Sequence, residues 1–312
     1  MFKKEFTSFD VAATVYELRE HILGSHLNNV YQLDPKTLIL KLHMVDHPAF
    51  QLVLKAGRRL HLTAYSLKKP PRPTAFCMAL RGYLRNARLV SVEQYQFERV
   101  VILLLKTSRG VLRLVFEVFG DGNVILVGED NKILQALTYK QMRDRNVLRG
   151  EVFQFAPSGG KNPLRISLEE LSEGLKASGN VEVVRALARF LGIGGEYSEE
   201  VLVRVGIEKT RSCDALSMDE VKTVYSNLQG LLSQVTTGAL EPCIVLGEDG
   251  GLVDVVPFKL RQYEREGIQL QSYDSFNEAL DEFYTRVSAV EEATAGIEVD
   301  KLKNEAERLN RM

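Results

Sequence analysis

A chain of 312 residues is long enough for two domains of ordinary size, each with its own core. Its 40 basic and 41 acidic residues give a net charge of −1, so a nucleic-acid partner would have to be held by a local basic patch rather than by overall charge. Cys77, Cys213 and Cys243 are far apart and form no C-x-x-C pair, which argues against a zinc site and against a disulfide framework; no apolar run approaches the roughly 18 residues of a membrane span.

The opening MFKKEFTSFD has no apolar core behind its lysines, so it does not read as a signal peptide, and a reducing cytoplasm is the expected setting. Thr7-Ser8-Phe9-Asp10 has the form of a capping box. Val11, Val15, Leu18 and Ile22 follow at helical spacing, predicting a helix from about Ser8 to Leu23 that Gly24 ends. Asp10 in the first turn is favoured by the helix dipole and the unpaired amides there.

Residues 27–63 read as a meander, with strands at Asn29–Gln32, Thr37–Met44, Phe50–Leu54 and Leu60–Ala64. The stretch YSLKKPPRPT is held extended by its prolines, and Thr74 is placed to cap a helix AFCMALRGYLRN. Lys68, Lys69, Arg72, Arg81, Arg85 and Arg88 accumulate across this joint with few acids. They form either a solvated rim or a phosphate-binding one, since clustered arginines match phosphate geometry.

From Gln94 to Leu137 four strands are cut by polar turns at 107–110, 121–123 and 129–131. Val100 to Leu105 is apolar on both strand faces, predicting a second layer over it. Glu98 and Arg99 stand side by side at its mouth. Strand neighbours point to opposite faces, so different partners are expected for the two. Lys140, Arg143, Arg145 and Arg149 form a second basic stretch before a boundary at Pro157 and the glycines after Ser158.

Beyond it the apolar period becomes helical, with capping boxes at Ser167/Glu170 and Ser217/Glu220 and four or five helices expected over 167–234. In LGIGGEYSEEVLVRVGI a turn containing Gly192, Gly194 and Gly195 links two short helices. Ser198 is placed to cap the second, and the turn amides are free either for steric closure alone or for a phosphate. PCIVLGEDGGLVDVVPF reads as a hairpin rejoining the first sheet, followed by a helix capped at Ser275. The charged segment from about Ala289 reads as the start of a coiled coil. The expected division is 1–160 sheet-rich, 161–234 helical, 235–288 completing the first unit, and 289–312 coiled coil.

No G-x-S-x-G, H-E-x-x-H or phosphate loop is present. His43 and His47 have helical i, i+4 spacing in a segment that Pro48 makes a poor helix, so no metal site or cofactor is expected.

The segments FTSFDVAATVYELRE, RPTAFCMALRGYLRNARL, QYQFERVVILLL, FEVFGDGNVILV, RNVLRGEVFQFAP and SYDSFNEALDEFYTR, in this order, resemble the NFACT family in an archaeal form. The glycine-rich element is similar to the helix-two-turn-helix of formamidopyrimidine-type DNA glycosylases, whose N-terminal fold the family shares. The resemblance therefore implies an α+β fold: a sheet-rich N-terminal domain of glycosylase type plus a small all-helical domain. It also implies a non-enzymatic role in ribosome-associated quality control: binding large ribosomal subunits that carry peptidyl-tRNA, and recruiting tRNA for alanine tailing without mRNA. The ribosome would supply the chemistry, and no membrane or small-molecule substrate is implied. The functional residues it implies are Asp10 and the pair Glu98-Arg99, where the family has aspartate before the arginine. The resemblance also implies a long coiled coil, of which 289–312 would be only the start, and an RNA-binding domain. The enzyme alternative is a residual glycosylase or lyase, for which Phe2-Lys3-Lys4 replaces the catalytic proline and glutamate and only Lys3 and Lys4 offer an amine. Adhesion to fibronectin rests on an older family name.

Overall fold

The computed structural model describes residues 2–3 and 5–291. Helix α1, Ser8–Ile22, is capped as expected: Thr7 Oγ1 accepts the Asp10 amide at 3.1 Å and the Asp10 carboxylate accepts the Thr7 amide at 2.7 Å. It is buried on nearly every side, including Phe9, Ala13 and Thr14. A helix enclosed all round lies inside the molecule rather than on its surface.

Around it run the strands β1 (His26–Asp34), β2 (Thr37–His43), β3 (Phe50–Lys55) and β4 (Arg59–Leu62), then helix α2 (Ala75–Leu84) capped by Thr74, then β5 (Arg88–Gln94), β6 (Val100–Thr107), β7 (Gly110–Glu117), β8 (Asn123–Val127) and β9 (Ile133–Ala136). All nine strands form one antiparallel sheet in the order β4-β3-β2-β1-β5-β6-β7-β8-β9. The sheet coils strongly, because the turn after β3 meets the turn after β7: the Gly57 amide donates to Glu117 O at 3.1 Å. Gly122, at φ +68, lies so close that a Cβ there would stand 1.8 Å from the Gly57 nitrogen.

The expected second layer over β6 to β8 is present. Leu103, Leu114 and Phe116 face the main core, while Val100, Val115 and Ile125 face a smaller cluster closed by Val147 and Phe153. That cover contains the short strands β10 (Lys140–Gln141) and β11 (Asn146–Val147). His43 lies on β2 and His47 in the turn beyond, so their helical spacing is not realised; among the described residues no group of His, Cys, Asp and Glu is arranged for a metal.

Four helices follow, α3 (Leu168–Ala177), α4 (Val183–Leu191), α5 (Gly194–Val205) and α6 (Met218–Thr237), with capping boxes at Ser167 and Ser217. Ser198 is not the cap of α5. It lies a turn inside, buried, with its hydroxyl on Gly194 O at 2.7 Å, and the capping position is Ile193. Strands β12 (Cys243–Leu246), β13 (Leu252–Val256) and β14 (Gln269–Ser272) correct a second expectation: they do not rejoin the first sheet but make one of their own, in the order β13-β12-β14. It shares the main core through Ile244, Val255 and Phe258. The expected coiled coil lies, from residue 292 on, outside the described residues.

The last described helix, α7, spans 276–291. Its first amides are met by a residue of α1: Glu17 accepts the Phe276 amide at 2.6 Å and the Asn277 amide at 2.8 Å, and also the Asn277 side chain at 2.7 Å. A carboxylate at a helix N-terminus offsets both the dipole and the unpaired donors. Glu17→Ala leaves three buried donors without a partner, so urea unfolding should show a loss of about 2–3 kcal/mol with the m-value unchanged.

Between β4 and α7 lies His61, its Nδ1 3.0 Å from Leu62 O and its pKa lowered to about 3 by burial and by neighbouring Arg59. The unfolded chain therefore takes up this proton near the ordinary value while the folded one refuses it. His61 costs nothing above about pH 6.5, and stability is lost as pH falls from there towards about 3. His61→Gln should flatten the stability profile between about pH 6.5 and 5, by up to about 1.4 kcal/mol per unit, as followed by urea unfolding.

Candidate nucleic-acid interface

The turn from β5 into β6 carries Glu98 and Arg99. It is closed by Tyr95 N–H to Val100 O at 3.0 Å and Glu98 N–H to Tyr95 O at 2.7 Å. Gln96 and Phe97 both have positive φ, 46° and 62°, as tight hairpin turns require, yet neither is glycine. Such residues cost about 1–3 kcal/mol each and persist only where surroundings over-determine them. Here Phe97 is buried edge-on against Phe9 at 5.1 Å, and Gln94 Nε2 bonds both Ser8 O at 2.8 Å and Glu98 O at 3.0 Å. The start of α1 thus holds the turn.

Glu98 and Arg99 do have separate partners. Glu98 Oε1 accepts the Ser158 hydroxyl at 2.6 Å and the Gly159 amide at 2.9 Å. Arg99 Nη1 is 3.5 Å from Glu5 Oε2, and Arg58 holds the other oxygen of Glu5 at 3.0 Å. Both side chains are half-exposed and line a cleft of about 140 Å³ with Tyr95, Phe119 and Phe155. Tyr95 and Phe155 stack at 3.7 Å between centroids.

The loop that holds Glu98 also rests on the helices. A Cβ on Gly160 would stand 2.4 Å from the Gly192 nitrogen, and the Lys161 amide donates to Phe190 O at 2.7 Å. Gly192, at φ +65, ends α4. Gly194 and Gly195 fall in the first turn of α5, where no side chain bonds the capping position; all three glycines are exposed. Glu98 and the glycine turn, distant in sequence, therefore meet through residues 158–160.

Asp10 does not reach the surface. It is 0% exposed, fixed by Thr7 and by Lys3 Nζ at 3.0 Å. Lys3 also pairs with Asp254 of β13 at 3.1 Å and donates to Val255 O at 3.0 Å. Burial alone would lower the Lys3 pKa, but Asp10 and Asp254 hold it well above the ordinary value. Burial likewise raises Asp10 against the pull of Lys3, and it raises Glu196 of α5 well above the carboxylate range, with Asp254 adding to the rise. The Tyr263 hydroxyl donates to Asp254 at 2.6 Å. Asp10 is thus a positioning residue, tying the chain start, α1, α5 and β13 together. Lys3 is buried and held by both carboxylates, so it is not placed to meet a substrate as the lyase alternative requires; Lys4 lies outside the described residues.

The basic stretches separate. On the first, Lys69 Nζ lies 4.7 Å and the Arg81 guanidinium 5.3 Å from the Tyr31 ring, and Arg81 Nε donates to Val30 O at 2.8 Å. Arg81 and Arg85 line one cleft with Asn28, Asn29 and Met78, and Lys68, Arg72 and Arg88 are exposed. On the second, Arg145 is a correction: it is 7% exposed, bonded to Glu117 at 2.6 Å and to Gln154 O at 3.1 Å, and so cannot meet a phosphate. Lys140 is paired with Asp121 at 2.9 Å, leaving Arg143 and Arg149 exposed. Helix α2 packs Leu80 and Leu84 into the main core, whereas Val147 and Phe153 cover the opposite face of β7 and β8, so the two stretches do not make one surface.

Sequence reasoning named Glu98, Arg99 and Asp10 but not their partners Lys3, Glu5 and Ser158, nor Asp254, which shares Lys3 with Asp10. Ser158-Gly159-Gly160 was visible as a boundary, and the lysines at the start were visible as charge; nothing local tied either to the site.

Residues 7–311 match the family described as NFACT N-terminal and middle domains. The chain is 33% identical to the archaeal Rqc2 homolog aRqcH of Methanocaldococcus jannaschii over 98% of its own length and 46% of that protein. It is 27% identical to the ribosome quality control complex subunit NEMF of Mus musculus, over 99% of its length and 30% of the relative. The chain therefore spans less than half of these relatives. Its fold is that of the fibrinogen binding protein from Staphylococcus aureus, with a TM-score of 0.72 at 21% identity, covering 89% of this chain and 98% of that one. Among the described residues no helix is long and apolar enough to cross a membrane. With the match over nearly its whole length, the chain belongs to the NFACT family.

Proposed function

We propose that this chain is the tRNA-gripping part of a ribosome-associated quality-control factor, and that it acts by binding rather than by covalent chemistry. The observation that carries the reading is the convergence of Glu98, Arg99, the aromatic cleft and the Gly192 turn at one junction. Arg99 presents guanidinium donors beside aromatic edges, and both Glu98 bonds within the protein go to Oε1, leaving Oε2 to accept from a base or ribose. The exposed cations around α2 supply phosphate contacts, and the uncapped amides at Gly194 and Gly195 supply a further one. The names of the relatives, an Rqc2 homolog and a ribosome quality control complex subunit, support the setting. In that setting the partner would be a large subunit still carrying peptidyl-tRNA, whose peptidyl-transferase centre forms the tail. Arg143 and Arg149, on the other sheet face, belong to a separate contact in this reading.

Phosphate contacts position and base contacts specify. Fluorescence titrations against a panel of tRNAs should show Arg85→Gln weakening all of them alike and reducing the salt slope by about 1. Arg99→Ala should compress the differences among tRNAs more than it lowers mean affinity; an equal loss for every tRNA would falsify its specificity role. Asp10→Ala should behave differently from both. Removing one member of a buried ion cluster costs about 3 kcal/mol or more, so its loss of binding should track a fall in Tm, while Arg99→Ala leaves Tm unchanged.

A further inference from the structure

At the β4 edge of the large sheet, under α7, is a cavity of about 510 Å³ that the tRNA reading does not use. Its floor is a cross-strand row. Thr37 on β2 is paired with Lys55 on β3, and Lys55 with Arg59 on β4; the next row is Ile39, Val53 and His61. The intervening Leu38, Leu54 and Leu60 face the main core, so these rows face the other way, towards Tyr284 of α7.

Three buried polar atoms on residues lining this cavity lack a partner among the described residues: Thr37 Oγ1, Arg59 Nε and His61 Nε2. Thr37 and His61 are 6% and 3% exposed. Buried polar atoms are nearly always satisfied, and three orphans on the lining of one cavity point to a group held there.

Their chemistry narrows the group. Arg59 Nε–H can only donate, and the Thr37 hydroxyl can donate. His61 Nδ1–H donates to Leu62 O at 3.0 Å, which leaves Nε2 as an acceptor. Lys55 and Arg59 are like charges directly opposite each other on paired strands, an arrangement that repels. Among the described residues neither forms an ion pair; Asp34 and Glu291 act electrostatically on both and Asp281 on Arg59, and Asp34 and Asp281 line the same cavity. Asp281 is itself engaged by the Ala64 amide at 2.8 Å. The Arg59 guanidinium lies 4.0 Å from the Tyr284 ring centroid, which fixes its plane. Water would satisfy the orphan atoms but not the paired cations. An oxyanion satisfies both.

We propose that this cavity binds a small phosphate monoester, its oxygens accepting from Lys55, Arg59 and Thr37, with His61 Nε2 taking a hydroxyl of the organic part near the exposed Tyr65. The site is independent of the tRNA reading and stands or falls apart from it.

Isothermal titration of the whole chain with AMP and with inorganic phosphate, at ionic strength matched with chloride, tests it. AMP should bind more tightly than phosphate and raise Tm. Lys55→Gln, at a half-exposed position the fold does not need, should weaken AMP binding about 10- to 100-fold, as loss of a hydrogen bond to a charged group does. Arg85→Gln, on the α2 rim, should leave it unchanged. The proposal is overturned by no binding of either probe up to about 10 mM, beyond the millimolar range of weak specific sites. Equal affinity for AMP and phosphate overturns the monoester assignment, and undiminished binding in Lys55→Gln overturns the site.

Discussion

A lysine buried between two carboxylates fixes the geometry on which the site depends. Lys3 joins Asp10 of α1 to Asp254 of β13, and the chain start continues the second sheet's hydrogen bonding through the Lys3 amide to Val253 O at 2.9 Å. Taking such charges out of water is costly, and well-packed apolar residues often do as well for stability alone. What the ions add is direction. The lysine must lie where both carboxylates can reach it, so Lys3 and residues 5–10 are held in place, and Glu5 among them holds Arg99 and Arg58.

The same path sets the strained turn. Phe9 supports Phe97, and Ser8 O holds Gln94, which holds Glu98 O. Two non-glycine residues in the left-handed region are thereby kept directly before Glu98 and Arg99. Strain kept where side chains are aimed at a ligand is common in functional sites, and here each restraint is a named contact.

Much of the fold was legible because its signals are local. The boxes at Thr7, Ser167 and Ser217, the cap at Thr74 and the alternation in β2 each lie within a few residues of what they predict. What escaped depends on partners far along the chain. Glu17 reads as one more surface acid of a helix, yet it meets the first two amides of α7, beside the expected Ser275 cap on the Glu278 amide. Arg145 sits among exposed cations in sequence, yet it lies just before the two-residue strand β11 and points inward to Glu117. Strands β12 and β13 alternate like any others, and alternation says nothing about which sheet takes them. Ser198 looked like a cap because serine often is one; α5 in fact begins after Ile193, directly behind the left-handed Gly192 that ends α4.

Glu98 shows how one methylene alters the reach of a site. An aspartate at this position, the residue the family resemblance implies, would set its carboxylate back by about one C–C bond, roughly 1.5 Å. Bonds of 2.6 Å to the Ser158 hydroxyl and 2.9 Å to the Gly159 amide would then lie beyond hydrogen-bonding range without a shift of the backbone. The longer side chain fastens the β5–β6 turn to the loop that packs, backbone on backbone, against Gly192. In this chain the acid of the pair therefore does two things: one oxygen couples the sheet to the helices, and the other stays available at the cleft.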